Sequence, residues 1–136
     1  MKKNLILVFA LLLAFTAGCS ASAPAADTEK SSQTFRQISQ EEAKEMMAKD
    51  DGHVVVDVRR QDEYDAGHIP GAILIPNESI GCDSPEALPD YDQIILIYCR
   101  TGNRSKQAAQ KLASMGYINI YEFGGITTWT GDVVTD

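Results

Sequence analysis

Two apolar stretches rich in β-branched residues dominate the hydrophobic pattern of the chain. Val54-Val55-Val56-Asp57-Val58 and Ile94-Ile95-Leu96-Ile97-Tyr98 run nearly unbroken instead of alternating with polar residues. That is the pattern of strands buried on both faces of a parallel sheet. Shorter strands are expected at Phe35-Arg36-Gln37-Ile38, at Ile73-Leu74-Ile75 before Pro76, and at Tyr117 to Tyr121. Helical spacings fall between them. Glu41 to Ala48 carries Ala43, Met46 and Met47 on one side, behind Ser39 and Glu42 arranged as a capping box. Arg59 to Ala66 is polar with Tyr64 as its apolar anchor, a short helix, and Ser84-Pro85 opens about one helical turn reaching Leu88. Ser105 to Met115 is the best helix: Ala108, Leu112 and Met115 form a stripe that Ala109 and Ala113 widen, and Gly116 is placed to cap it. Strands alternating with helices predict an α/β domain, a mostly parallel sheet covered on both faces. Ligands bind such sheets at the carboxyl ends of the strands.

The amino-terminal pattern is different. Lys2 and Lys3 precede an apolar run from Leu5 to Ala17, shorter than the roughly 20 residues a membrane span needs. It ends Phe15-Thr16-Ala17-Gly18-Cys19, which resembles a bacterial lipoprotein signal with Cys19 lipidated as the first mature residue, although Thr16 stands where an aliphatic residue is usual. Ordinary export with cleavage near Ala23 is the alternative. Ser20 to Thr34 is small and polar without apolar period, a tether. The expected organisation is a signal at 1–18, a tether at 19–34 and one folded domain at 35–136, exported and held on the bacterial membrane by lipid.

Composition narrows the partners. The net charge is -7, and Lys2 and Lys3 would leave with the signal, so nucleic acid is excluded as a natural partner. Three cysteines, Cys19, Cys82 and Cys99, are too few for a disulfide scaffold.

Against that acidic background one cationic loop is conspicuous. Cys99 follows the central apolar strand, and Arg100-Thr101-Gly102-Asn103-Arg104-Ser105 leads from it into the best helix. A helix start offers N–H groups and partial positive charge, and two arginines add full charge. Both favour a thiolate at Cys99 and an anion beside it. Gly102 supplies a positive φ or a close backbone approach, Thr101 and Asn103 contribute amides, and Ser105 either caps the helix or touches substrate.

Several stretches together resemble the rhodanese, or thiosulfate sulfurtransferase, family: Val56-Asp57-Val58-Arg59 with Glu63-Tyr64, Gly67-His68-Ile69-Pro70-Gly71-Ala72, the loop from Cys99 to Ser105, and Gly124-Gly125 with Trp129. The resemblance implies a single-domain rhodanese fold with a five-stranded, mainly parallel sheet between helices. Cys99 would take a sulfane sulfur from thiosulfate or a similar anionic donor as a persulfide, then pass it to a thiol or cyanide, with no metal or organic cofactor. Arg100 and Arg104 would meet the donor's sulfonate, Arg104 alternatively bracing the loop. Asp57 and Arg59 would support the active-site loop from a neighbouring strand end. His68 holds a turn and Trp129 packs the core.

Loop length separates sulfur from phosphate chemistry. Four residues lie between Cys99 and Arg104, whereas cysteine phosphatases and arsenate reductases of related fold place five there to cradle a tetrahedral anion. That reading and a non-catalytic sulfur carrier are the alternatives to the transferase. Cys82 is expected as an unpaired structural cysteine, with a redox pairing to Cys99 as the alternative.

Overall fold

The computed structural model describes residues 34–135; the signal segment, Cys19 and the tether up to Gln33 lie outside them. Five strands and three helices follow in chain order: β1 (Arg36–Gln37), α1 (Gln40–Met47), β2 (Val54–Asp57), α2 (Gln61–Asp65), β3 (Ile73–Leu74), β4 (Ile95–Cys99), α3 (Asn103–Met115) and β5 (Ile120–Gly125). The sheet order is β1-β5-β4-β2-β3, and every pairing is parallel. β4 is central and buried along its length.

Alternation along β4 decides what meets what. Ile95, Ile97 and Cys99 point into the layer packed by Ala108, Ala109, Leu112 and Ala113 of α3. Leu96 and Tyr98 point the other way, with Ala43 of α1 and Tyr64 of α2. Two-residue periodicity therefore delivers the Cys99 side chain to the α3 face of the sheet.

Ser39 caps α1 in the expected box, its hydroxyl accepting from the Glu42 amide while Glu42 accepts from the Ser39 amide. Gly116 ends α3 in the left-handed region at φ 112°.

Three local expectations are corrected. The last strand begins at Ile120, because the left-handed Gly116 turns the chain and Tyr117 is used instead to seal the core, its hydroxyl donating to Leu88 O. Gly124-Gly125 closes β5. The segment after Ser84 makes a turn, with the Leu88 amide donating to Pro85 O at 2.9 Å, and not a helix; a 3-10 turn sits at Asn77–Ser79 instead. Lastly, α3 starts two residues early, with Gly102 as its N-cap.

Opposite Cys99 the β4–β5 register slips. Ile97 pairs with Glu122 but Cys99 pairs with Gly125, so β5 carries one extra residue there. This bulge, with Gly124 at φ 90°, kinks the strand beside the cysteine.

Candidate active site

Cys99 ends β4 and is 1% exposed. The chain then turns over its sulfur. Gly102 adopts φ 103°, which aims its amide at Cys99 Sγ, 3.0 Å away. This is where the loop needs glycine, since an L-side chain is strained at that φ. Ser105 Oγ lies 3.5 Å from the same sulfur. Burial works against a thiolate here. Hydrogen bonds from the Ser105 hydroxyl and from the amides of Ser105, Gly102 and Thr101 outweigh it, and the Cys99 thiol is held below its ordinary range.

The other loop residues separate into different jobs. Arg100 is exposed, and its guanidinium makes no hydrogen bond or ion pair among the described residues. Its carbonyl is fixed instead, accepting from the Thr127 amide at 3.2 Å and the Thr127 hydroxyl at 3.0 Å. Thr101 and Asn103 are exposed. Arg104 is clamped by Glu63 of α2 through two bonds of 2.7 and 2.8 Å, the bracing arrangement. Ser105 neither caps the helix nor reaches the surface: it is fully buried, with Glu122 Oε1 2.6 Å and Gly102 O 3.0 Å from its hydroxyl. The cap position is taken by Gly102, which leaves Ser105 one turn in and under the sulfur.

Asp57 and Arg59 form a buried pair, 0% and 5% exposed, with Arg59 forked onto both carboxylate oxygens. Arg59 also donates to Gly67 O at 2.6 Å and lies over the Tyr98 ring. Asp57 sits level with Tyr98 in the β2–β4 register, so the pair braces the 67–69 turn and not the 99–105 loop. His68 stacks on Tyr64 with ring centroids 3.7 Å apart, and its backbone pairs with Val134. Trp129 packs on Phe123 and donates to Asp132 O.

Cys82 is exposed and lines a groove of about 320 Å³ with Gln110, Lys111, Ser114 and Met115. Cys99 meets α3 at Ser105, so at 1.5 Å per residue Cys82 stands roughly 8–15 Å further along the helix. A disulfide needs Cα atoms within about 7 Å. Both cysteines are free, and this arrangement keeps them apart.

Glu63 has a second consequence. The Arg104 hydrogen bonds hold its carboxyl down from 4.5 to about 2. A carboxylate depressed in the folded state stabilises above its unfolded pKa, and that stabilisation drains as pH falls from about 4.5 toward 2. Glu63→Gln should cost about 1 kcal/mol at neutral pH, since the pair is partly solvated. The variant and the parent should converge in melting temperature across that acid window. Parallel thermal melts at a series of pH values read this directly.

The closed loop over a buried sulfur at the carboxyl end of a parallel sheet coincides with a family match. Residues 39–132 fit the model of the rhodanese-like domain. The chain belongs to the rhodanese-like family. Curated relatives of this rhodanese-like domain include the thiosulfate sulfurtransferase GlpE of Pseudomonas entomophila (strain L48), 40% identical over 96 residues, covering 70% of this chain and 84% of that protein. The thiosulfate sulfurtransferase GlpE of Pseudoalteromonas translucida (strain TAC 125) is 36% identical, covering 70% of this chain and 89% of that one. Among solved structures, a rhodanese with anions from E. coli superposes with a TM-score of 0.57 at 31% identity, over 62% of this chain and 99% of that one. A rhodanese-related protein from Thermoplasma volcanium gives 0.63 at 27% identity, over 75% and 100%. The expected fold, a parallel five-stranded sheet between helices, is the fold observed.

Two residues of this site escaped the sequence reading in part or whole. Glu63 lies within a legible motif, but nothing local in the chain marks it as the partner of Arg104, 41 residues away. Glu122 was not singled out. Its signal is an acid two residues after Ile120, on the inward phase of a strand, where an apolar residue is the rule.

Proposed function

We propose that this rhodanese-like domain is a sulfurtransferase that moves a sulfane sulfur from thiosulfate, or a donor of like chemistry, to a thiol or cyanide through a persulfide on Cys99. The observation that carries this is the Gly102 amide 3.0 Å from Cys99 Sγ, backed by the amides of Thr101 and Ser105. Such a nest stabilises an anionic sulfur before and after transfer. The thiolate attacks the outer sulfur of the donor: the new S–S bond forms as the old one breaks, and sulfite leaves with the electron pair. An acceptor thiolate or cyanide then attacks the outer persulfide sulfur, and Cys99 regains its thiolate.

Arg100 is the cation left to meet the donor's sulfonate, because Glu63 neutralises Arg104. The four-residue interval from Cys99 to Arg104 suits a single transferred sulfur better than a tetrahedral phosphate.

Intact mass after incubation with thiosulfate tests the reading. The purified protein should gain one sulfur and Cys99→Ser none. Arg100→Ala should raise the KM for thiosulfate about tenfold, the effect of losing one charge-assisted contact, with kcat nearly kept. Sulfur gained only from a persulfidated partner protein would make the domain a carrier. Phosphoester hydrolysis without sulfur uptake would overturn both sulfur readings.

The leader supports a location outside the cytoplasm, with Cys19 diacylated and the tether spacing the domain from the lipid. In a bacterial host the full chain should fractionate with membranes, and Cys19→Ser should move it to the soluble fraction. Membrane retention of that variant would overturn the anchor.

A further inference from the structure

Glu122 of β5 is a buried carboxylate beside the sulfur that the transfer scheme leaves unused. Cys99, Ser105 and Glu122 are 1%, 0% and 3% exposed. Ser105 Oγ lies 2.6 Å from Glu122 Oε1 and 3.5 Å from Cys99 Sγ, which puts that oxygen within about 6 Å of the sulfur. The same oxygen accepts the Gly124 amide at 2.9 Å. Two donors on one oxygen favour the charged form of the group.

The other charges near Cys99 are either paired or set apart. On α3, Arg104 acts on the sulfur electrostatically, but Glu63 of α2 holds it in an ion pair and Glu78 adds to that neutralisation. Lys106 lines a groove with Glu122, Gln37 and Gln40. Arg100 is exposed on the loop. The Asp57–Arg59 pair lies against Tyr98, on the opposite face of the sheet. Among these groups Glu122 is the one that shares a hydrogen-bond partner with the sulfur.

Its effect has a definite sign. The amides over Cys99 stabilise a thiolate, and a thiolate loses nucleophilicity as it gains stability. A like charge at this distance raises the thiolate in energy. The carboxylate also draws the single Ser105 proton toward itself across the shorter contact, leaving less of it for the sulfur. We propose that the Glu122 carboxylate is a positioning residue that opposes the loop amides and keeps the Cys99 thiolate strongly nucleophilic. It acts through Ser105 and through like charge, and it exchanges no proton with the sulfur. When Cys99 attacks the donor, its electron pair enters the new S–S bond and the negative charge ends on the outer sulfur, one bond beyond Sγ. Repulsion from Glu122 is thereby relieved as the reaction proceeds. The inference deepens the reading of Cys99 as the sulfur nucleophile and rests on it.

The test is the pH dependence of Cys99 alkylation by iodoacetamide in the full chain carrying Cys82→Ser, followed on the Cys99 peptide by mass spectrometry. Glu122→Gln keeps the shape and an acceptor for Gly124 but removes the charge. Its profile should have a midpoint about one pH unit below the parent's. Its plateau rate, at pH values above both midpoints, should be about threefold lower, because the more stable thiolate is the weaker nucleophile. An unmoved profile overturns the proposal. So does an upward shift, the result expected if Glu122 merely braced the loop and its loss misaligned the amides. A lower midpoint with an undiminished plateau overturns it as well. Difference infrared spectra of the parent across the Cys99 titration serve if Glu122→Gln does not fold. A carboxylate band should shift as the thiolate forms. A protonated C=O band in its place, or no response, overturns the proposal. Neither measurement involves sulfur transfer. A parent that takes no sulfur from thiosulfate would lose the transferase reading, whereas sulfur uptake with an unmoved Glu122→Gln profile would lose only this inference.

Discussion

Asp57→Asn should cost about 3–5 kcal/mol, the usual penalty for stripping a buried ion of its partner. The Arg59 side chain is 7% exposed and the Asp57 side chain 0%, so the guanidinium would be left with Gly67 O as its fixed acceptor. A neutral amide cannot replace a carboxylate held by three bonds of 2.6 to 3.0 Å from the guanidinium. Urea denaturation measures the loss. Asp57→Asn combined with Arg59→Met should recover most of it, because an apolar side chain of similar length leaves no unpaired charge. If the double variant is no more stable than Asp57→Asn alone, the cost lies in the backbone of the 57–59 turn and not in the ion pair. The pair's contacts run to Gly67 and Tyr98, so persulfide formation below the melting transition should be little altered in either variant.

The second large effect belongs to Gly125, and it is a matter of space. Its φ of -131° suits any residue. A Cβ there, however, would overlap the Arg100 carbonyl oxygen and come within 2.6 Å of Arg100 C and Thr101 Cα. These are backbone atoms and cannot swing aside. Gly125→Ala should therefore cost about 3 kcal/mol, lowering Tm by more than about 10 °C in a domain of this size. It should also push the 100–101 peptide off Thr127 and raise the Cys99 thiol pKa, visible as slower alkylation at neutral pH. Gly124 makes the contrast. Its φ is 90° but a Cβ there meets little, the nearest atom being Gln40 Nε2 at 4.0 Å. Gly124→Ala should cost only about 1 kcal/mol of backbone strain. Equal losses at the two positions would show that the bulge, and not the close approach at Arg100, is what needs glycine.

Much of this molecule could be read from short-range pattern. The apolar runs marked β2 and β4, the stripe from Ala108 to Leu112 marked α3, and Ser39 with Glu42 marked the start of α1. Each of these is set by neighbours within a turn or a pleat, where periodicity and capping act directly. The same locality makes Cys99 legible, as the residue that ends a buried strand just before a helix begins. Errors gathered where local pattern competes with long-range demand. Tyr117 is a good strand former, yet it serves the core through Leu88, 29 residues away. Ser105 is a good cap, yet Gly102 takes the cap because only it reaches the φ that turns an amide onto the sulfur.

Residue order alone was enough for the parallel sheet, for the cysteine at its carboxyl edge and for the cationic loop above it. Which loop arginine is paired was settled by folding, when α2 carried Glu63 across the sheet end to Arg104. So was the placement of Glu122 beneath Ser105, which depends on the pairing of β4 with β5 and on the one-residue slip that follows it. A shift of one residue exchanges the two faces of a strand, and no neighbour in the chain records which face a distant strand will meet.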